Sequence, residues 1–298
     1  MPRIASPLSR KATLVSLNAS VWTARKLDRK ITDEINTKHH AAADAGRYNK
    51  LLVQAECLKK INGIVTAART THYRFTLPWH DEGPRILPNE KFSDYANEMR
   101  DHKRAFERAA DEFAKNYPGF VEQAKARLNG MFNETDYPHA TRIRSKFKLD
   151  FDTSMLPEAD DFRSDLDKDT EADIRAEIAA STKKAAAGIG QATADRIIEV
   201  VEHMATKLKE YHNTKVAEDG RTGRRFFMDS LVENVRDLAG MLPAFNLNND
   251  PKLTAITARI QKELCVEDAK ALRANEDACE AVQKSAESIL EDVSKFLA

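Results

Sequence analysis

The sequence predicts an all-α protein, an elongated helical bundle with a long central helix, antiparallel helical hairpins and a proline-rich irregular crossover. Apolar residues recur at steps of three and four along most of the chain, which is the period of one helix face. Glycine and proline number only ten each among 298 residues, so few turns interrupt these stripes. The apolar content of 42% is enough for a sizeable core, in one elongated body or two domains.

Two apolar stripes near the N-terminus predict a helical hairpin. The first stripe runs from Leu14 to Ile35 and the second from Leu51 to Val65. The polar, alanine-rich stretch 37–46 lies between them, so we expect the two helices to pack antiparallel. The faces of this hairpin are basic and its seam is apolar.

A proline-rich stretch, residues 70–89, predicts an irregular crossover after the hairpin. Proline lacks a backbone donor and disfavours helix in the residue before it. A short extended piece is expected at residues 73–77. Helix is predicted to resume near Lys91, to restart at Pro118 and to form a further short helix from Pro138.

The central helix is predicted to begin at Asp165 or Asp167, because acidic residues are favoured in the first turn of a helix. We expect it to run to about Ala217 and to carry a heptad-like seam in its second half. The seam consists of Ile197, Val201, Met204, Leu208, Tyr211 and Lys215. A three-helix end over residues 224–296 completes the predicted architecture.

Composition and charge divide the chain into two predicted regions. An N-terminal helical region spans residues 1–149 and a C-terminal helical region spans 150–298. Residues 1–75 carry fourteen Lys and Arg against five acids, a net charge of +9, whereas residues 150–173 carry ten acids against two bases, a net charge of −8. Either the basic segment binds an anionic partner, or the two segments attract each other within one chain or between subunits.

No catalytic motif is present in the sequence. It lacks the G-x-S-x-G elbow of nucleophilic hydrolases and the phosphate-binding lysine loop of ATPases. His72, His80 and Asp81 are the one metal-ligand combination in the crossover, and ordinary polar loop residues are the favoured interpretation. The sequence therefore predicts a protein that is not an enzyme and has no cofactor or metal.

The basic residues are the candidate nucleic-acid contacts. A second, smaller cluster of arginines surrounds the turn at residues 219–220, where the tip could touch phosphates. The candidates are Arg25, Lys26, Arg29, Lys30, Lys59 and Lys60 in the basic hairpin, and Arg221, Arg224 and Arg225 near the turn. Residues 188–197 also resemble the glycine hairpin of helix-hairpin-helix modules, but continuous helix is the favoured interpretation there.

Short motifs are spread along nearly the whole chain. They are Val21-Trp22-Thr23, His72-Tyr73-Arg74-Phe75-Thr76-Leu77-Pro78-Trp79, Gly83-x-Arg85-Ile86-Leu87-Pro88, Tyr117-Pro118, Met131-Phe132, Tyr137-Pro138, Ala159-Asp160-Asp161-Phe162-Arg163, Asp229-Ser230-Leu231-Val232-Glu233-Asn234 and Leu242-Pro243-Ala244-Phe245-Asn246-Leu247-Asn248-x-Asp250-Pro251-x-Leu253. Together they resemble a family of tailed-bacteriophage and prophage proteins catalogued only as a domain of unknown function. Members of that family are often encoded near an AAA+ ATPase and a von Willebrand-type domain protein, so the resemblance implies an accessory to such machinery.

These motifs fall mainly in loops and at helix edges. Trp79, Arg85 and Arg163 are therefore candidates for an interaction surface, since aromatic and arginine residues dominate such surfaces. The alternative is that Trp79 and Phe162 pin loops onto the helical body.

Two functions from different classes are predicted. The first is a phage-encoded, non-enzymatic helical protein that self-associates or binds a protein partner, with an AAA+ ATPase as the partner that the resemblance implies. The alternative is a nucleic-acid-binding protein of phage DNA metabolism that uses the basic hairpin. No apolar stretch reaches the roughly 18 residues of a membrane span and no secretory signal is recognised, so we expect the cytoplasm of the infected host.

Overall fold

The computed structural model describes residues 8–159, 167–212 and 227–297. It is 69% helical and also contains a four-stranded antiparallel sheet and a two-stranded sheet, so the all-α prediction is wrong and the fold is mixed with mostly helices. The helices are α1 (Arg29–Lys38), α2 (Glu56–Phe75), α3 (Phe92–Leu128), α4 (Ala140–Ile143), α5 (Lys168–His212), α6 (Ser230–Phe245), α7 (Pro251–Glu263), α8 (Ala269–Ala274) and α9 (Glu276–Leu297). The strands are β1 (Ala12–Ser20), β2 (Arg25–Leu27), β3 (Asn49–Leu51), β4 (Leu77–Pro78), β5 (Arg85–Pro88) and β6 (Lys148–Ser154).

The first part of the predicted first hairpin helix is a strand, β1, and only its end is helical, as α1. β1 pairs antiparallel with β5, with Leu14 opposite Ile86, and both side chains are buried. The β-branched residues Thr13 and Val15 suit this pleated environment. Ala24 then adopts a left-handed backbone, with φ of 52°, between the end of β1 and the start of β2. The basic hairpin therefore reduces to two helices, α1 and α2, with a strand before each.

The proline-rich crossover is more ordered than predicted. α2 continues to Phe75, and β4 and β5 then form an antiparallel pair in which Leu77 lies opposite Ile86. Pro78 and Pro88 close their strands, a position where proline needs no ladder donor. The four-stranded sheet has the order β4-β5-β1-β6, and the two-stranded sheet joins β2 to β3.

The predicted restart at Pro118 is also wrong, because α3 runs through it without a break for 37 residues. Proline in a helix interior costs one hydrogen bond and some steric strain. Pro118 is exposed, while Tyr117 before it and Ala124 after it are buried. The same apolar face therefore continues on both sides of the proline.

The long central helix is confirmed over the described residues as α5, which has 45 residues. Asp167 stands at its start, where its side chain accepts hydrogen bonds from the backbone of Asp169 and Thr170. The predicted seam faces the core, because Ile197, Val201, Met204 and Leu208 are fully buried. Gly188 and Gly190 lie inside continuous helix, which contradicts the glycine-hairpin interpretation.

The chain forms two compact units, each built from separate stretches. The first unit comprises Met1–Ser16, Tyr73–Ser93 and Thr153–Ala298, and the second comprises Leu17–His72 and Asp94–Asp152. In the first unit, α5, α6, α7 and α9 share one apolar core, as expected of a helical bundle. In the second unit, aromatic rings of α3 form the centre, where Phe113 contacts Trp22, Tyr117 and Phe147.

Candidate functional site

The two-stranded sheet of the second unit sets which basic side chains share a face. Lys26 on β2 lies directly opposite Lys50 on β3, and Arg25 lies opposite Leu51. Because side chains alternate along a strand, Lys26 and Lys50 point to one face of this sheet and Arg25 points to the other. Like charges directly opposite each other destabilise a strand pair, so this face needs compensating carboxylates.

Two aspartates supply that compensation. The Lys50 Nζ lies 2.7 Å from Asp136 Oδ2 and 3.2 Å from Asp28 Oδ2, and it donates a hydrogen bond of 3.0 Å to the Met131 carbonyl. The Lys50 side chain is only 6% exposed. Burial on its own lowers the pKa of Lys50, but the hydrogen bonds to Asp136 and Asp28 outweigh it and the pKa is raised. Lys50 is therefore a permanent internal cation.

Asp28 has a second role as the N-cap of α1. Its Oδ1 accepts a hydrogen bond of 3.2 Å from the Ile31 backbone N–H. That bond, together with Lys50, holds the pKa of Asp28 below its ordinary value, although burial acts in the opposite direction. One carboxylate thus ties the first turn of α1 to β3.

A cavity of about 730 Å³ opens beside this ion triad. We call it the basic groove, and its lining consists of Lys26, Leu27, Asp28, Arg29, Lys30, Ile31, Lys50, Gly130, Met131, Phe132, Asn133 and Asp136. Lys26, Arg29 and Lys30 are exposed at its rim. Within the described parts of the chain, no carboxylate lies within ion-pair distance of these three cations. The two acids in the lining are engaged with Lys50, so the groove offers positive charge to solvent.

The lining of the groove also includes one member of an aromatic pair, Phe132. The rings of Phe132 and Tyr137 are stacked, with centroids 5.2 Å apart and planes 29° apart. The Tyr137 hydroxyl donates a hydrogen bond of 2.9 Å to the Leu52 carbonyl, and burial raises the pKa of Tyr137. Phe132 is half-buried and lines the groove, whereas Tyr137, which stacks on it, is not part of the lining.

The structure separates the predicted nucleic-acid contacts into groups. Lys26, Arg29 and Lys30 come together at the basic groove, while Arg25 is exposed on the other face of its strand. Lys59 lies 3.8 Å from Glu56, and Lys60 lies 2.6 Å from Glu112; both lysines are exposed on α2 and neither lines the groove. Arg221, Arg224 and Arg225 lie outside the described residues.

The predicted interaction surface of Trp79, Arg85 and Arg163 is not assembled by the described residues. Trp79 is 4% exposed, which agrees with the alternative that it pins the crossover. Arg85 is half-buried and makes hydrogen bonds within the protein. Its Nε donates to Thr76 Oγ1 at 2.8 Å and its Nη2 donates to the Thr76 carbonyl at 3.1 Å. Arg163 and Phe162 lie outside the described residues.

The histidines of the crossover have separate environments. His72 is buried, and its Nδ1 lies 2.9 Å from the Tyr95 hydroxyl, while His80 and Asp81 are exposed. Among the residues that the structure describes, no three His, Cys, Asp or Glu side chains are grouped to hold a metal ion. In the same part of the chain, no helix combines the length and apolar character that crossing a bilayer requires.

Three residues of the groove were missed by sequence reasoning. Lys50, Asp136 and Phe132 lie far apart in the chain, and only the fold joins them. The usable signal for Lys50 is its place in a short strand, between Asn49 and Leu51, where a period of two would turn it inward. No pattern in the sequence indicates that Asp136 and Phe132 meet it.

No family model, curated protein or solved structure matches this chain. The resemblance to the tailed-phage family, and the partner that it implies, stay predictions.

Proposed function

We propose that this chain is a nucleic-acid-binding protein and that the basic groove of its second unit holds the sugar–phosphate backbone. The observation that carries the proposal is the set of three exposed cations, Lys26, Arg29 and Lys30, at the rim of one cavity without carboxylate partners in the described chain. Lysine and arginine side chains that neutralise phosphates supply most of the affinity of sequence-independent binding. The three cations give the groove the charge for that role.

The ion triad explains why these cations stay together. Lys50 is held by two carboxylates and a carbonyl, and Asp28 fixes the first turn of α1, from which Arg29 and Lys30 project. Because Asp28 already accepts the Ile31 N–H, the charge offered to a phosphate comes from side chains and not from that amide. Asp33 and Glu34 follow later on α1 and do not line the groove.

Reversal of rim charges is the test. Lys26→Glu and Lys30→Glu are each expected to weaken binding of a fluorescent oligonucleotide about 10-fold or more at low salt. Each should also reduce the slope of log affinity against log salt by about 0.7–0.9 for every phosphate that the variant no longer neutralises. Fluorescence anisotropy at several salt concentrations measures both quantities.

Arg25→Glu is the matched control, because it makes the same charge change one residue away on the opposite face of β2. We expect it to reduce the affinity much less than Lys26→Glu does. Equal losses for the two variants would mean that net charge, and not the groove, determines binding. Absence of any salt-dependent binding by the unmodified protein would contradict the proposed function.

The second candidate is self-association, which the first part of α5 favours. Gly190 lies beside the last turn of α9, where an added Cβ would stand 3.6 Å from Phe296, so residues 168–188 run past the end of α9. In that stretch Ala185 is buried, while Ile174 and Ile178 are only half-buried. Residues 167–177 carry five acids against two bases, a net charge of −3, which complements the basic groove of a second copy.

A charge exchange tests this candidate. Light scattering after size exclusion is expected to give a mass above the monomer that falls as salt rises, because exposed ion pairs are screened. Asp173→Lys and Lys30→Glu should each dissociate the assembly, and mixing the two variants should restore it. Asp237→Lys, at an exposed acid on α6, is the control that should change nothing. A monomer at low salt would contradict self-association.

A further inference from the structure

We propose that Phe132 is a base-stacking platform and that the basic groove consequently selects single-stranded over double-stranded nucleic acid. This inference rests on the proposed function and names its substrate class. The starting observation is that the lining of the groove combines two kinds of side chain. It includes the exposed cations Lys26, Arg29 and Lys30, and it includes the aromatic residue Phe132 next to Met131.

The ring of Phe132 is preorganised for stacking. Tyr137 stacks against it at a centroid distance of 5.2 Å, and the Tyr137 hydroxyl is anchored to the Leu52 carbonyl at 2.9 Å. The Phe132 backbone N–H also donates a hydrogen bond of 3.0 Å to the Asn129 carbonyl, which fixes the turn that precedes it. A ring that is already held loses little side-chain freedom when a base stacks on it.

The combination of cations with an aromatic residue matches a single strand better than a duplex. Proteins that bind single strands pair a cationic groove, which follows the backbone, with aromatic side chains on which unpaired bases stack. In a duplex the base faces are already stacked on each other, so a duplex could use the cations but not Phe132. The cavity of about 730 Å³ is also in the size range that encloses a small part of a polymer, such as a nucleotide unit.

The test compares one labelled oligonucleotide of about 16 nucleotides, the same strand annealed to its complement, and a free mononucleotide as competitor. We expect the unmodified protein to bind the single strand more tightly than the duplex. Phe132→Leu is expected to weaken single-strand binding by about 5- to 100-fold, since one stacked base is lost, and to leave duplex binding and the salt slope nearly unchanged. Phe132→Tyr keeps a stacking face and should retain the preference.

Phe120→Leu is the matched control. Phe120 is a half-buried phenylalanine of the same unit that contacts Phe113 at 5.3 Å and does not line the groove. Its replacement should leave the preference for single strands intact, and thermal melts of all three variants check that each is folded.

The outcomes separate the two proposals. If the rim variants lose affinity but Phe132→Leu binds single strands as well as the unmodified protein does, the stacking inference is overturned and the proposed function stands. Equal affinity of the unmodified protein for single strand and duplex would likewise overturn the stacking inference and leave the proposed function standing. If the free mononucleotide competes as well as the oligonucleotide, the groove is a nucleotide pocket and the inference is overturned. If neither polymer binds, both proposals fail.

Discussion

Replacing Lys50 by methionine is expected to lower the free energy of unfolding by about 3–5 kcal/mol, because it leaves two carboxylates without their buried counter-ion. The side chains of Asp28 and Asp136 are only 15% and 10% exposed. Without the Lys50 ammonium, the carboxylates of Asp28 and Asp136 would repel each other close to the start of α1. The Met131 carbonyl would also lose its hydrogen-bond donor. Urea denaturation followed by circular dichroism measures the change.

A matched ion pair outside the groove is the control. Lys60 lies 2.6 Å from Glu112, but the two side chains are 67% and 58% exposed. Lys60→Met is therefore expected to change the free energy of unfolding by less than about 1 kcal/mol, as is usual for exposed pairs. Adding Asp136→Asn to Lys50→Met should recover part of the loss, since one uncompensated charge is removed. Similar effects of Lys50→Met and Lys60→Met would contradict the role of the triad.

The second large effect is expected at Arg196 in the first unit. Its Nη1 donates hydrogen bonds to the carbonyls of Tyr73 and Thr76, at 2.6 and 3.2 Å, where the last turn of α2 ends. The guanidinium also lies 5.2 Å from the ring centroid of Phe245. Burial, with a smaller contribution from nearby Arg85, lowers the pKa of Arg196 to about 10, so it stays charged at neutral pH. Arg196→Met should reduce the free energy of unfolding by about 1.5–3 kcal/mol.

Arg196→Lys should restore only part of the free energy of unfolding that Arg196→Met loses. A planar guanidinium can donate hydrogen bonds to carbonyls and stack on a ring at the same time, whereas an ammonium cannot. Arg236 provides the control. It also bridges two carbonyls, those of Cys265 and Glu267, but it is exposed on α6. Arg236→Met is expected to cost less than about 1 kcal/mol, because water replaces the lost bonds there. Equal costs at the two arginines, again measured by urea denaturation, would show that burial does not set the contribution.

Most of the C-terminal helices were predictable because their information is local, although the predicted three-helix end is wrong: over residues 227–297 the structure has four helices, α6 to α9. The seam from Ile197 to Leu208 has helical period, and Asp167 is a typical helix start, so the pattern and the packing agree. β1 was not predictable in the same way. Leu14, Leu17 and Val21 happen to fit a helical step, and the partner that makes this stretch a strand, β5, lies about seventy residues later in the chain.

The candidate site divides along the same line. Lys26, Arg29 and Lys30 lie close together in the sequence, and their charge alone marked them as contacts for an anion. The Lys50 ammonium donates a hydrogen bond to the Met131 carbonyl, 81 positions later in the chain. Phe132 is the next residue, so the same contact between distant segments brings it to the groove. Periodicity and composition describe neighbours along the chain, so they could find the cations of the groove but not the distant residues that join them.

The division of the chain has a consequence for its synthesis. Every residue of the second unit, 17–72 and 94–152, leaves the ribosome before α5 has been made. The first unit, in contrast, cannot be completed until residues 153–298 have been translated, although its N-terminal segment and its 73–93 segment are made early. Because domains form as units when their residues become available, the part that carries the groove can be complete on the nascent chain while the other still lacks its helices. A nascent chain stalled far enough beyond residue 152 for that residue to have left the ribosome would then already present the groove.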